Sequence, residues 1–210
     1  MNILVVSSSQ RENSKSVEVA LHLQKNILDK IKGIKASILD LSRFPYLLDN
    51  YGTGRDDDVF LRKNKEDVLS QLYNCDAIVF VVPEWGGMIP PALVNLLLLS
   101  ANGSANGLPL GHKPAFAVGV SASAGGSNPI SLLKGYAAKN THLTWLSLHA
   151  IINNVEEFLA QTWQPHCNDR YSQVQSRLTV GLNSLVIYAN QLKPVREELV
   201  LLSKVHPFGQ

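Results

Sequence analysis

Short apolar runs alternate along the chain with segments whose apolar residues recur at helical spacing. Five runs predict strands, at residues 3–6, 34–39, 76–82, 115–120 and 142–152. Helical spacing predicts helices at residues 17–31, 64–73, 92–100, 129–139 and 169–191, and a short helix around 195–202. The third run is apolar apart from Asp76, as expected of a central parallel strand that is covered on both faces.

This alternation predicts an α/β fold. The expected core is a doubly wound sheet of five parallel strands in the order 2-1-3-4-5, with helices on both faces. At 210 residues the chain has the length of one domain. We expect that domain at residues 1–192 and a C-terminal tail at residues 193–210.

A serine-rich loop at residues 7–16 separates the first strand from the first helix. Unpaired N–H groups at the start of that helix point at the loop, and the helix dipole adds positive potential there. Serine hydroxyls and the guanidinium of Arg11 supply further donors suited to a phosphate. Alternatively, Ser14 caps the helix and the other serines fill a surface turn. The loop alone supports the two interpretations equally.

Two further strands end in loops of small residues, at residues 83–91 and 121–127. Paired glycines in the first of these loops let a ligand approach the backbone, and Trp85 offers a flat apolar face. In a sheet of the predicted order, the three loops follow neighbouring strands and share one edge. We therefore expect a single crevice, with one end suited to a phosphate and the other to a flat ring held by backbone amides.

Composition narrows the class of protein. A net charge of +2 with no Lys/Arg cluster argues against a nucleic-acid partner, and the longest apolar stretch, residues 89–99, is too short to span a bilayer. The N-terminal apolar run is too short for a signal peptide. Cys75 and Cys167 are isolated, which is typical of reduced cytosolic thiols. We expect a cytoplasmic protein.

Other chemistries find weaker support. The first loop has no glycine and therefore fails the dinucleotide fingerprint, and no Gly-Lys-Ser/Thr run is present for a nucleoside triphosphate. The histidines are scattered: His149 in the fifth predicted strand is interpreted as a core residue, and His166 beside Cys167 is too little for a metal site. Residues 119–123 fall one glycine short of a nucleophile elbow, so a serine hydrolase with Asp169 and His206 rests on coincidence.

Residues 8–16 resemble the Gly-Ser-x-Arg-x-x-Ser-x-Asn phosphate loop of the NAD(P)H-dependent FMN reductase family, which has the flavodoxin-like fold. Residues 83–95 are similar to its Pro-Glu-Tyr-Asn-Gly-Ser-Ile-Pro-x-x-Leu-Lys-Asn segment, and residues 121–126 to its Ser-x-Gly-x-x-Gly-Gly-type loop. The resemblance runs in order from Asn2 to about Phe158. The departures from the pattern are Ser8 for glycine, Ser16 for asparagine, Trp85 for tyrosine, Gly86 for asparagine and Val94 for lysine.

The resemblance implies a flavodoxin-like oxidoreductase that binds FMN without a covalent link. Hydride would pass from NADPH or NADH through the flavin to a small acceptor such as free flavin, a quinone, an azo dye or a metal ion. Side chains expected at the phosphate are Ser9, Arg11, Ser14 and Ser16. Residues expected around the ring are Pro83, Glu84, Trp85, Gly86, Gly87, Met88, Ser121, Ser123, Gly125 and Gly126. The flavin carries the chemistry, so no side chain is nominated as catalytic and no metal is expected.

The family also implies a homodimer or homotetramer. The alternative is an FMN-binding electron carrier or sensor without NAD(P)H turnover. For that class, the long loop at residues 42–63 and the tail from Pro194 would provide a partner surface. The acidic run at residues 56–58 is itself interpreted as part of a solvated loop.

Overall fold

The computed structural model describes residues 1–45, 59–101, 107–161 and 169–206, without the side chains of residues 59–61 and 140. Most of the predicted partner-surface loop, including the acidic run at 56–58, lies outside these ranges. His166 and Cys167 lie outside them too.

A parallel sheet forms the centre of the molecule. Its strands are β1 (Asn2–Ser7), β2 (Lys35–Asp40), β3 (Ala77–Pro83), β4 (Pro114–Val120), β5 (Thr144–Trp145) and β6 (Ala150–Ile152). The order is β2-β1-β3-β4-β5, and β6 also pairs with β4. The predicted order and the parallel pairing are confirmed.

The fifth predicted strand is interrupted. Its first part pairs with Pro114 and Ala115, and its second part pairs with residues 118–120 of the same neighbour. In the gap, the carbonyl oxygens of Leu146 and His149 accept side-chain hydrogen bonds from Lys134 (2.8 Å) and Arg177 (2.6 Å). The chain leaves the strand pairing at this point, where the side chains of Lys134 and Arg177 satisfy its backbone carbonyl groups instead. The prediction of one strand at residues 142–152 was therefore wrong, and His149 lies in the gap, half-buried.

Helices cover both faces of the sheet. Within the described ranges they are α1 (Lys15–Asn26), α2 (Val59–Asn74), α3 (Pro91–Leu99), α4 (Asn128–Thr141), α5 (Val155–Gln161), α6 (Asp169–Leu192) and α7 (Arg196–Ser203). Short 3-10 turns occur at Leu28–Lys30, Leu41–Arg43 and Lys193–Val195. Helix α2 begins earlier than predicted, so Asn64 lies inside it rather than capping it, and α5 was not predicted.

Alternation along the strands divides the core into two layers. Ile78, Phe80 and Val82 of β3 face one cluster, which includes residues of α2, α3 and α4. Ala77, Val79 and Val81 face the other, which includes residues of α1, α5 and α6. All six of these side chains are buried. This two-sided burial explains why the run is apolar without alternation in the sequence.

The C-terminal segment packs at the amino ends of the strands, opposite the edge where the three loops lie. Arg196 donates to the backbone oxygen of Asp76 (2.7 Å), and Lys193 lies 3.0 Å from its carboxylate. Near the end of α7, the hydroxyl of Ser203 is hydrogen-bonded to His112 (2.7 Å). Residues 193–203 are thus attached to the sheet.

Candidate active site

The first loop turns from the end of β1 into the first turn of α1. Ser8 N–H donates to the carbonyl of Val81 on the adjacent strand (3.0 Å), which fixes the start of the loop. Ser9 Oγ accepts from the N–H of Arg11 (3.1 Å), and Ser14 Oγ accepts from the N–H of Val17 (3.3 Å). Ser14 is therefore the N-cap of α1. The prediction that Ser14 caps the helix is confirmed, but Ser8, Ser9 and Ser16 are buried and do not fill a surface turn. The proposed contact of Ser14 with a phosphate stays a prediction.

The second loop contains a closed two-residue turn. Trp85 and Met88 exchange two backbone hydrogen bonds of 3.0 Å across Gly86 and Gly87. These glycines have φ values of +57° and +80°, as a type I′ turn requires. Among the described residues, no atom beyond the two chain neighbours of Gly86 lies within 4 Å of where its Cβ would stand, which leaves this backbone open to a ligand.

The third loop, residues 121–127, is anchored at its beginning by the backbone beyond β6. Ser121 N–H donates to Ile152 O (2.9 Å), and Val155 N–H donates back to Ser121 O (3.1 Å). Ser121 Oγ also accepts from the N–H of Ser123 (3.2 Å). This arrangement holds the start of the loop beside the N-terminus of α5.

Side chains link the first loop to the second. Gln10 Oε1 accepts from the N–H of Ala92 in the first turn of α3 (3.1 Å), where the two preceding prolines have no N–H to offer. The guanidinium carbon of Arg11 lies 4.8 Å from the ring centroid of Trp85, within the range of a cation–π contact. The phosphate-type loop and the Trp-Gly-Gly loop are thereby joined.

The three loops surround one cavity of about 490 Å³. Its lining includes nine of the predicted residues: Ser9, Arg11, Ser14, Ser16, Pro83, Glu84, Trp85, Gly86 and Ser121. Gly87, Met88, Ser123, Gly125 and Gly126 belong to the same loops but lie outside the lining. Met88 is 62% exposed. The expected convergence of the loops is therefore found.

The lining also contains residues that the sequence analysis did not nominate, namely Glu12, Asn13, Lys15, Val120, Ala122 and Val155. The first three stand inside the first loop motif, and Asn13 has a positive φ of +51° that asparagine tolerates better than most residues. Val155 begins the unpredicted helix α5, so no local signal pointed to it.

The first-loop end of the cavity is lined by two cationic side chains, Arg11 and Lys15, and by the carboxylate of Glu12. Lys15 Nζ lies 2.8 Å from the carboxylate of Glu18, and this hydrogen bond raises the pKa of the lysine. Lys15 therefore keeps its charge at physiological pH. Together with Arg11 and the N-terminus of α1, it favours an anion.

The donor set and the space fit a flavin nucleotide. Serine hydroxyls, a guanidinium and a helix N-terminus suit its phosphate. The open backbone of Gly86 and the adjacent Trp85 suit a flat ring. A volume of about 490 Å³ lies within the range of pockets that bury cofactor-sized ligands.

Comparison with solved structures identifies the fold class. An NAD(P)H:(acceptor) oxidoreductase, FerB, from Paracoccus denitrificans aligns with a TM-score of 0.68 at 16% identity, covering 90% of this chain and 97% of its own. An oxidoreductase from Corynebacterium diphtheriae aligns with a TM-score of 0.66 at 11% identity, covering 90% and 97%. The apo form of an NADH:FMN oxidoreductase, EmoB, aligns with a TM-score of 0.63 at 13% identity, covering 90% and 89%.

The sheet order, the flanking helices and the crevice beyond the carboxyl ends of the strands define a flavodoxin-like protein. Residues 1–154 match the NADPH-dependent FMN reductase family. The chain belongs to that family and is an FMN- and NAD(P)H-dependent oxidoreductase. None of the curated proteins matches the chain by sequence. Throughout the described ranges, no helix combines the length and apolar character needed to cross a membrane.

Proposed function

We propose that this protein binds FMN in the three-loop cavity and passes electrons from NAD(P)H to a small organic acceptor such as free flavin or a quinone. The observation that carries the proposal is the convergence of a cationic serine loop and an open-backbone turn on one cavity. The chemistry supplied by bound FMN is hydride acceptance followed by electron transfer. The protein itself binds the FMN, orients it and shields it from solvent.

At the phosphate end, Ser9, Arg11, Ser14 and Ser16 act with the first amides of α1. The guanidinium of Arg11 carries five N–H donors, so its contact with the Trp85 ring does not use all of them. Ser16 is buried and lines the cavity, which supports the proposal that its hydroxyl contacts the phosphate. This serine stands where the family pattern has asparagine, and it retains the ability to donate a hydrogen bond.

At the ring end, Pro83 to Met88 and Ser121 to Gly126 supply backbone groups. The type I′ turn presents the peptide units of Gly86 and Gly87 without side chains in the way. Trp85 lines the cavity and offers an aromatic face, and Met88, exposed at the other end of the same turn, offers a flexible thioether. We place the nicotinamide of the reductant against these two residues.

Two structurally similar proteins support the choice of acceptor. They are a quinone reductase candidate from Klebsiella pneumoniae, with a TM-score of 0.59 at 12% identity, and FerB, whose acceptor is left general. We also propose that the protein forms the homodimer or homotetramer implied by the family. A cytoplasmic location, indicated by the isolated cysteines, is proposed as well. Free flavin and quinones are the acceptors to test first.

We expect reductant and acceptor to use the same three-loop cavity, so that the binding of one excludes the other. Steady-state rates measured over a matrix of NAD(P)H and quinone concentrations should give parallel double-reciprocal lines, the pattern of a two-stage reaction. Each substrate should inhibit competitively against the other at high concentration. Intersecting lines would require a ternary complex and a second nucleotide site. Absence of turnover with every acceptor, despite bound FMN, would favour the electron carrier or sensor.

A further inference from the structure

Glu84 links the second loop to the third. Its N–H donates to Val120 O at the end of β4 (2.9 Å). Its carboxylate accepts a hydrogen bond from the N–H of Gly126. The beginning of the third loop is anchored near Ile152 and Val155, so the Glu84 carboxylate supplies the corresponding anchor near the end of the loop.

Gly125 provides an independent observation on the same contact. Its φ lies outside the left-handed region, so backbone conformation alone would permit alanine there. A Cβ at this position would come within 3.0 Å of the carboxyl carbon of Glu84, and the three nearest atoms all belong to that side chain. The space that a side chain at 125 would occupy is thus the space that the carboxylate fills.

The nearest obstacle to an alanine at position 125 is the flexible end of the Glu84 side chain. Moving that carboxylate breaks its hydrogen bond to Gly126 N–H. By this geometry, Gly125→Ala and Glu84→Ala remove the same interaction by different routes. A hydrogen bond with an ionised acceptor is stronger than a neutral one, so its loss is measurable.

We propose that Glu84 is a positioning residue whose carboxylate locks the third loop against the end of β3, and that Gly125 is required to make room for it. The consequence for flavin binding rests on the proposed function: a locked loop presents its amides to the ring, not to the phosphate. Loss of the lock therefore weakens FMN and riboflavin by similar factors. Loss of Arg11 should weaken FMN much more than riboflavin, which carries no phosphate.

The test is a double-mutant cycle on the full-length protein, with Glu84→Ala, Gly125→Ala and the double variant. Three quantities are measured: the urea midpoint without ligand, amide exchange of the 121–127 peptide, and the dissociation constants of FMN and riboflavin. Each single variant should speed exchange and weaken both flavins on the order of ten-fold, the effect of one charge-assisted hydrogen bond. The double variant should be no worse than Glu84→Ala.

Two further variants serve as controls. Gly135→Ala adds a Cβ in α4 with no atom within 4 Å, and it should change neither exchange of the loop nor flavin affinity. Glu84→Gln keeps an oxygen acceptor without the charge and should fall between the wild type and Glu84→Ala.

An equal penalty from Gly125→Ala in the presence and absence of the Glu84 carboxylate would overturn the proposal. So would unchanged loop exchange in Glu84→Ala. If the wild-type protein binds neither flavin, the proposed function fails, while the urea and exchange measurements still decide whether Glu84 locks the loop.

Discussion

Arg11 joins the two ends of the crevice. Its guanidinium rests on Trp85, and its backbone N–H is held by Ser9. A guanidinium has five N–H donors, so a cation–π contact does not use all of them and others can bind a phosphate. Arg11 can therefore contact a phosphate without giving up Trp85.

We expect Arg11→Ala to weaken FMN binding by about ten- to a hundred-fold, since a charge-assisted hydrogen bond contributes about 1.5–3 kcal/mol. Riboflavin, which lacks the phosphate, should lose much less affinity in the same fluorescence titration. Arg11→Lys keeps the charge without the planar fork and should be intermediate. Equal weakening of both ligands by Arg11→Ala would show that the loop does not contact the phosphate.

The turn at Gly86 and Gly87 is the element of the proposed site that depends most on its backbone conformation. The nearest atom to a Cβ at Gly87 is Asn128 Nδ2, at 3.7 Å, so space is available for a small side chain. The constraint is the φ of +80°, which a β-branched residue adopts only with strain.

We expect Gly87→Val to abolish retention of FMN through purification while the protein remains folded by circular dichroism. Gly87→Asn is the matched control, because asparagine tolerates positive φ and should retain the flavin. A valine variant that keeps its yellow colour would show that the glycines serve the turn alone.

Sequence periodicity predicted those elements whose neighbours lie in the two core layers, such as β3 and α6. It could not predict the gap between β5 and β6, because Lys134 and Arg177 approach that backbone from distant positions. Helix α5 is short, at 7 residues, and offers little periodicity to detect. The early start of α2 was missed because Asn64 was interpreted as a cap.

For the whole molecule, the parallel topology separates the candidate site from the C-terminal attachment. All three loops follow carboxyl ends of strands, whereas Asp76 lies before β3 and holds the segment that begins at Lys193. Because the sheet order was predictable, so was the convergence of the loops. The links made by Gln10 and Glu84 were not, since they depend on how loops distant in sequence approach each other.

Because of Asp76, the free energy of unfolding should depend on pH in the acid range. Burial alone would raise the pKa of this carboxyl, but the Asn2 N–H (2.8 Å) and the cations Lys193 and Arg196 lower it overall. A lowered folded-state pKa stabilises the protein above the unfolded value, near pH 3.9, and the stabilisation is lost as pH falls through the folded value. Asp76→Asn should therefore lower the free energy of unfolding by about 1–3 kcal/mol at pH 7.

That difference should vanish at a pH below both pKa values, in urea titrations of the two proteins side by side. Lys193→Ala, which removes a largely exposed partner, should cost less than about 1 kcal/mol at pH 7. A difference between wild type and Asp76→Asn that persists unchanged into acid would assign the effect to packing instead of charge.

Reduction by NAD(P)H of FMN held in the three-loop cavity can be followed by anaerobic stopped-flow absorbance. Purified protein loaded with FMN is mixed with NADPH or NADH in the absence of acceptor, and the visible flavin band is followed. We expect the flavin band to bleach rapidly, at a rate that depends on the concentration of NAD(P)H, and to recover once a quinone is added. A flavin band that persists unchanged with both reductants would contradict this expectation.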